Sequence, residues 1–263
     1  MIQLFILAVQ VLPLPSLDEV IANVRAHACY SQTIQTDYSL VTTWTPSYER
    51  FWVDFGPRRQ VTAIERHRWS GHLDLYTDRF LSGEGHGRGG SSYALVEAFD
   101  GTTRRSVSRQ SKTYEEEKGS GTGDAPEDYT RLLYGRPIAD VLAEHPFAVA
   151  GWVTNPTFGR CLRLKGAYYE GHPTVLDLAP DYGWVLVRKA ERRSDIPLLT
   201  ERVVLRMQHG QGIYVCAEAA ERQIVEKPDG RRVLLKETKL FAKHFTARPF
   251  DADEFKRLPK GTH

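Results

Sequence analysis

The chain has 263 residues, enough for one large or two modest domains with a sizeable core. Its formal net charge is +2 with both signs interspersed, so no strong field draws in nucleic acid or an anionic membrane surface. Cys29, Cys161 and Cys216 lie far apart, and their odd number excludes a complete disulfide framework while leaving one bridge open.

Ile2 to Leu12 is an apolar run interrupted by Gln3 and Gln10. It matches the core of a secretory signal peptide and is too short to span a bilayer. No basic residue precedes it and no small-x-small cleavage site follows, so an apolar arm packed on the domain is the alternative. Export is the expectation, with 1–15 as signal peptide or arm and 16–263 as a single domain.

Ser16-Leu-Asp-Glu19 is a capping box. Leu17, Val20, Ile21, Val24 and Ala28 follow at the spacing of an amphipathic helix that ends near Cys29. From Thr33 to Trp44 the period drops to two: Ile34, Thr36, Tyr38, Leu40, Thr42 and Trp44 share a face, which predicts a strand. Tyr48 to Phe55 fits a strand or a short aromatic helix. Arg59 to Trp69 and His72 to Phe80 read as strands joined at Ser70-Gly71. Tyr93 to Phe99 and Thr103 to Gln110 form a hairpin closed by Asp100-Gly101, and the charged second arm belongs near a sheet edge.

Glu115 to Asp124 reads as a mobile loop. Asp124 can cap a helix that carries Tyr129, Leu132 and Leu133, and a second helix fits Pro137 to Glu144. A domain boundary could fall here, but neither β-rich half alone covers its sheet. Leu162 to Ala190 is a three-stranded meander, with turns at Gly171-His-Pro173 and Pro180-Asp-Tyr-Gly183. Strands follow at Glu201 to Gln208, Gly212 to Ala219, Glu221 to Glu226 and Arg231 to Phe245, the last two closed by Lys227-Pro-Asp-Gly230. On the long last arm Val233, Leu235, Phe241 and Phe245 share a parity.

Few motifs point to chemistry. Gly85-x-Gly87-x-x-Gly90 is followed by a strand and not by the helix that a dinucleotide fingerprint requires. His67, His72 and His86 have no carboxylate or cysteine at metal spacing and read as exposed strand histidines. There is no Gly-x-Ser-x-Gly elbow. Arginines such as Arg66, Arg68, Arg104, Arg105, Arg192, Arg193, Arg231 and Arg232 read as a solvated strand face. Apolar and aromatic surface on the strands is what remains: Tyr38, Leu40, Trp44, Trp69, Leu75, Leu95, Phe99, Trp184 and Leu186. A curved antiparallel sheet covered by helices can leave a cavity for an apolar ligand, and these nine are the candidate lining.

The element order, the Phe99-Asp100-Gly101-Thr102 hairpin, the Pro180-Asp-Tyr-Gly-Trp184 turn and the terminal Pro259-Lys-Gly-Thr262 together resemble a known family. It is that of the periplasmic lipoprotein carriers LolA and LolB and the sensor RseB, with the likeness extending to uncharacterised secreted bacterial proteins of the outer-membrane lipoprotein-sorting-like kind. The resemblance spans roughly Leu17 to Thr262. It implies an α+β, β-dominated fold: an unclosed antiparallel half-barrel with the N-terminal and mid-chain helices on its concave side. It further implies an exported, non-catalytic, monomeric binding protein of the periplasm or cell envelope. The expected partner is a lipid or the acyl chain of a lipoprotein, or an envelope protein; no cofactor, metal, nucleic acid or transmembrane span is expected. The alternative is an envelope sensor or interaction domain of the same fold without a lipid ligand.

Overall fold

The computed structural model describes residues 13–28, 31–51, 60–71, 73–84, 93–108, 111–118 and 130–258. Helix α1 (Leu17–Ala26) opens with the capping box: the Ser16 hydroxyl accepts from the Glu19 amide at 3.2 Å, and the Ser16 amide donates to Glu19 Oε2 at 2.7 Å. The first run of strands is β1 (Gln32–Trp44), β2 (Gln60–Ser70), β3 (Leu73–Glu84), β4 (Tyr93–Phe99), β5 (Thr103–Ser108) and β6 (Thr113–Lys118). Short helix α2 (Pro46–Phe51) lies between β1 and β2. The middle of the chain holds the two-residue strands β7 (Leu132–Leu133) and β8 (Arg136–Pro137), then α3 (Ile138–Glu144). The second run is β9 (Ala148–Asn155), β10 (Gly159–Tyr168), β11 (His172–Ala179), β12 (Val185–Arg192), β13 (Leu198–Gly210), β14 (Ile213–Glu226) and β15 (Arg232–Pro249).

All but β7 and β8 join one antiparallel sheet of thirteen strands, in the order β6-β5-β4-β3-β2-β1-β15-β14-β13-β12-β11-β10-β9. The sheet is curved and not closed, so the β-dominated half-barrel is the observed fold. Every pairing within it joins chain neighbours except one. β1 lies beside β15, from Gln32 opposite Pro249 to Trp44 opposite Lys236, and this seam welds the two meanders together. The Asp100 turn forms as expected, with Asp100 Oδ1 accepting from the amides of Thr102 and Thr103 at 3.1 and 2.9 Å.

Four readings of strands and helices change. Glu115 to Lys118 belongs to β6, the exposed edge strand, and is not loop; its charges suit an edge, where they discourage pairing with other chains. Leu132 and Leu133 are in a strand and not a helix. Tyr134 and Gly135, both at positive φ, turn the chain back so that Leu133 lies opposite Arg136. Gly212 to Glu226 contains one strand, β14, and not two. On β15, register shifts bypass Leu235 and Lys243, so the parity reverses twice and Phe241 is exposed while Leu235 is buried.

The apolar run 2–12, Cys29, the glycine loop 85–90, His72, His86, the loop 119–124, Tyr129 and the end 259–262 lie outside the described residues. His67 is fully buried and not exposed.

Candidate ligand cleft

The concave face has two characters. Over β9 to β12 it is covered by helices. α1 supplies Val20 and Ile21 and α3 supplies Ile138, Val141 and Leu142, packed on Leu162 and Leu164 of β10, Leu176 and Leu178 of β11 and Leu186 of β12. The strand residues alternate with Arg163, Asp177 and Arg188, which pair on the opposite face: Arg163 Nε lies 2.7 Å from Asp177, and Arg188 2.9 Å from Glu201. Gly166 lets the chain cross here, because a Cβ at that position would come within 2.6 Å of Phe147 and of the Pro146 carbonyl. The space left under the helices, beside Val24, Ile138 and Trp184, is about 20 Å³, room for one water.

Past β12 one row of the same face is polar, beside an apolar row of Val204, Ala219 and Leu240. A cross-strand row runs from Lys189 to Arg202, Glu221, Thr238 and Thr42. Lys189 is buried, with its Nζ 3.2 Å from Glu191 and 3.8 Å above the Tyr134 ring, and the Tyr134 hydroxyl donates to Glu191 at 2.7 Å. Burial pushes the Lys189 amine below the usual lysine range, and the nearby Arg202 adds to that push. Burial and the Glu191 charge push the Tyr134 phenol up. Burial also raises the Glu221 carboxyl, but Arg202, whose Nε is 2.8 Å away, and Lys236 more than offset it and the net direction is down. Further along, His67 Nε2 lies 2.8 Å from Glu65 Oε2, both buried, with Tyr38 edge-on to the imidazole at 5.6 Å.

The open volume lies at the rim, where the end of α1, the start of β1, the 180–183 turn and the β13–β14 hairpin meet. It measures about 700 Å³, with Ile213, Tyr182 and Tyr214 beside His27, Arg131 and Asp181 in its wall. Turn geometry builds it. Gly183 sits at φ +77°, and a Cβ there would approach the His27 ring at 3.3 Å. Gln211 and Gly212, both at positive φ, close the hairpin tightly. Tyr182 and Tyr214 lie with ring centroids 4.9 Å apart. Arg131 binds the elements together: one terminal nitrogen donates to the His27 carbonyl at 2.6 Å, the other to the Tyr214 carbonyl at 3.0 Å, and the guanidinium lies over Trp69 at 5.3 Å.

The nine candidate residues are spread over several packing clusters. Leu186 and Trp184 belong to the helix-covered core. Tyr38 is in a cluster with Phe158 and Val187, and Leu40 packs against it. Trp44 packs on Tyr48, Leu198 and Leu235. Trp69 packs with Ile34 and Ile213, a wall residue of the cleft. Phe99 is buried, Leu95 is half-buried, and both share the parity of Glu97 on β4. Leu75 is on the far face, packed with Ala98 and with Phe255 from a turn of 3-10 helix over 252–256. Trp69, through Arg131 and Ile213, and Trp184, beside Gly183, are the two that border the rim region. Arg131 was missed because a lone arginine after a glycine-rich stretch carries no periodic signal. Tyr182 was legible only as part of a turn.

Among the described residues no group of three or more His, Cys, Asp or Glu side chains is placed to hold a metal ion, and no helix is long and apolar enough to cross a membrane. Cys161 and Cys216 are both buried and unbridged, and burial pushes the Cys161 thiol up to about 11.

No family model matches the sequence, and no curated protein does. Solved structures do. A LolA superfamily protein from Nitrosomonas europaea superposes with a TM-score of 0.55, covering 93% of this chain and 99% of that one at 9% identity. The fold is that of the LolA superfamily. A DUF1329 family protein from Desulfovibrio piger shares it, with a TM-score of 0.52 and 10% identity over 86% of this chain and 90% of that one. At such identities the likeness establishes the LolA architecture and no residue's role.

Proposed function

We propose that this LolA-fold chain is an exported, non-catalytic binding protein of the cell envelope that holds an acyl chain of a lipid or lipoprotein in the rim cleft. The observation that carries this reading is the cleft itself, about 700 Å³ with apolar and aromatic groups on part of its wall. That is within the roughly 300–1,000 Å³ of small-molecule sites. Each methylene moved out of water there contributes about 0.8 kcal/mol, so burial of about ten carbons contributes roughly 8 kcal/mol towards the cost of association. Of the nine residues proposed from sequence to line the site, Trp69 and Trp184 are the ones this reading assigns to it.

Protein purified without detergent is to be extracted with organic solvent and examined by mass spectrometry. A neutral fluorescent reporter, N-phenylnaphthylamine, is then displaced with hexadecanoic acid, and the titration is repeated with Tyr214→Ala and Trp184→Ala. Co-purified lipid and saturable displacement, weakened severalfold by Tyr214→Ala, are expected. Absence of both co-purified lipid and displacement would remove the carrier reading. What would then stand is the second reading, a sensor or interaction domain, which draws support from the roughly 20 Å³ left beneath the helices.

A further inference from the structure

We infer that the ligand of the rim cleft is an anionic amphiphile, its carboxylate or phosphate taken by Arg131; this rests on the cleft binding an acyl chain at all. A guanidinium has five N–H donors. In Arg131 two of them are used, one on the His27 carbonyl and one on the Tyr214 carbonyl, and among the described residues the other three have no protein acceptor. The two bonds come from different terminal nitrogens, so they fix the plane of the group. The Trp69 ring backs it at 5.3 Å. The result is a half-buried, immobilised cation in the wall of a 700 Å³ cleft. A planar fork with spare donors matches a carboxylate or a phosphate in geometry as well as charge, and prior fixing lowers the entropy cost of using it.

The other charges at the cleft are on the wall's exposed parts. Asp181 is exposed on the 180–183 turn and makes no ion pair with Arg131. His27 is exposed at the end of α1 with its Nδ1 2.8 Å from the Asn23 carbonyl. An exposed carboxylate is screened by water and salt, whereas the guanidinium acts at contact distance. Asp181 therefore weakens the preference for an anion without reversing it. The apolar part of the ligand then lies along Ile213, Tyr182 and Tyr214.

The test compares two probes of one chain length, hexadecanoic acid and hexadecanol, by displacement of N-phenylnaphthylamine at neutral pH. The wild-type protein is expected to bind the acid about tenfold or more tightly than the alcohol, as a charge-assisted hydrogen bond warrants. Arg131→Gln is expected to bring the acid-to-alcohol affinity ratio close to one, and Arg131→Lys to retain part of it. Because Arg131 also ties three elements, Asp181→Asn is the companion variant on an exposed turn, and it should raise the ratio. Wild-type protein that binds both probes equally overturns the anion inference and leaves the acyl-binding reading standing. So does a ratio that neither Arg131→Gln nor Asp181→Asn moves. Binding of neither probe overturns both. Hexadecyl phosphate as a third probe separates carboxylate from phosphate heads.

Discussion

The two halves of the concave face are made from one continuous sheet, yet a single cross-strand row changes from apolar in one half to polar in the other. Under α1 and α3 the floor is leucine on leucine, from Leu162 to Leu186, and the helices seal it. Across the next strands the same row holds Lys189, Arg202, Glu221 and Thr238, joined by ion pairs and by Tyr134. Apolar contacts hold the first region without regard to pH or partner identity. The second depends on each charge keeping its partner, because a buried charge left alone costs several kcal/mol. A LolA fold with a wholly apolar cavity would need both halves to look like the first. This chain places a polar row beside buried apolar clusters in its second half, and its open cleft at the rim, among groups of mixed character.

The sharpest way to break that contrast is to remove one partner from the buried pair. Lys189→Met should destabilise by roughly 3–5 kcal/mol, since among the described residues it leaves Glu191 buried with only the Tyr134 hydroxyl. Lys189→Met with Glu191→Leu should recover most of the loss. Urea denaturation of the two variants checks this, and a double variant no better than the single would show that packing, not charge, decides the site. On the leucine side, Leu176→Ala should cost about 3 kcal/mol from lost transfer and the cavity left behind, with no dependence on pH.

The pH response distinguishes the halves further. Glu221 is held below the usual carboxylate range, so its contribution is full above the unfolded value and is lost as pH falls through the folded one. Lys189 is held below the usual lysine range, so the unfolded chain binds its proton more readily. Stability then rises with pH up to the ordinary lysine value. Glu221→Gln should flatten the acid side of a stability–pH curve and Lys189→Met the alkaline side, while Leu176→Ala shifts the whole curve without changing its shape. Chemical denaturation at a series of pH values reads all three.

How much of this was legible follows from the same contrast. Leu162, Leu164, Leu176 and Leu178 alternate with Arg163, Lys165, Asp177 and similar residues, and strict alternation announces a strand with one buried face. The capping box at Ser16 and the Asp100-Gly101 turn were legible because a few neighbouring residues determine their own conformation. β6 was not, since Tyr-Glu-Glu-Glu-Lys has no apolar face and is a strand only because β5 offers an edge. β9 has apolar residues without a clean period, and its register with β10 shifts between Arg163 and Leu164. The polar floor was invisible for a different reason. Lys189, Glu191 and Glu221 look like solvent-facing strand residues, and a sequence does not say that Tyr134, more than fifty positions away from Glu191, closes over them. The bulge that leaves Val187 unpaired turns Lys189 onto the Leu176 side, and a two-residue period cannot anticipate it.

The smallest effect is the most informative about the opposite, convex face. Arg222 and Glu237 pair there at 2.8 Å on β14 and β15, with side chains 43% and 21% exposed. Arg202 and Glu221 pair at the same Nε distance on the concave face, 11% and 16% exposed. Distance and chemistry are matched, so the difference isolates burial. A double-mutant cycle over Arg222→Ala and Glu237→Ala should give a coupling of about 0.5 kcal/mol that falls as salt is raised, because water and ions screen an exposed pair. The corresponding cycle over Arg202 and Glu221 should give a larger coupling that salt changes little, since the Debye atmosphere does not enter the concave face. Equal couplings with equal salt dependence would mean that the concave floor is wetted from the open side of the half-barrel. The polar row would then be a second hydrated surface, and its charges would be open to a ligand's head group.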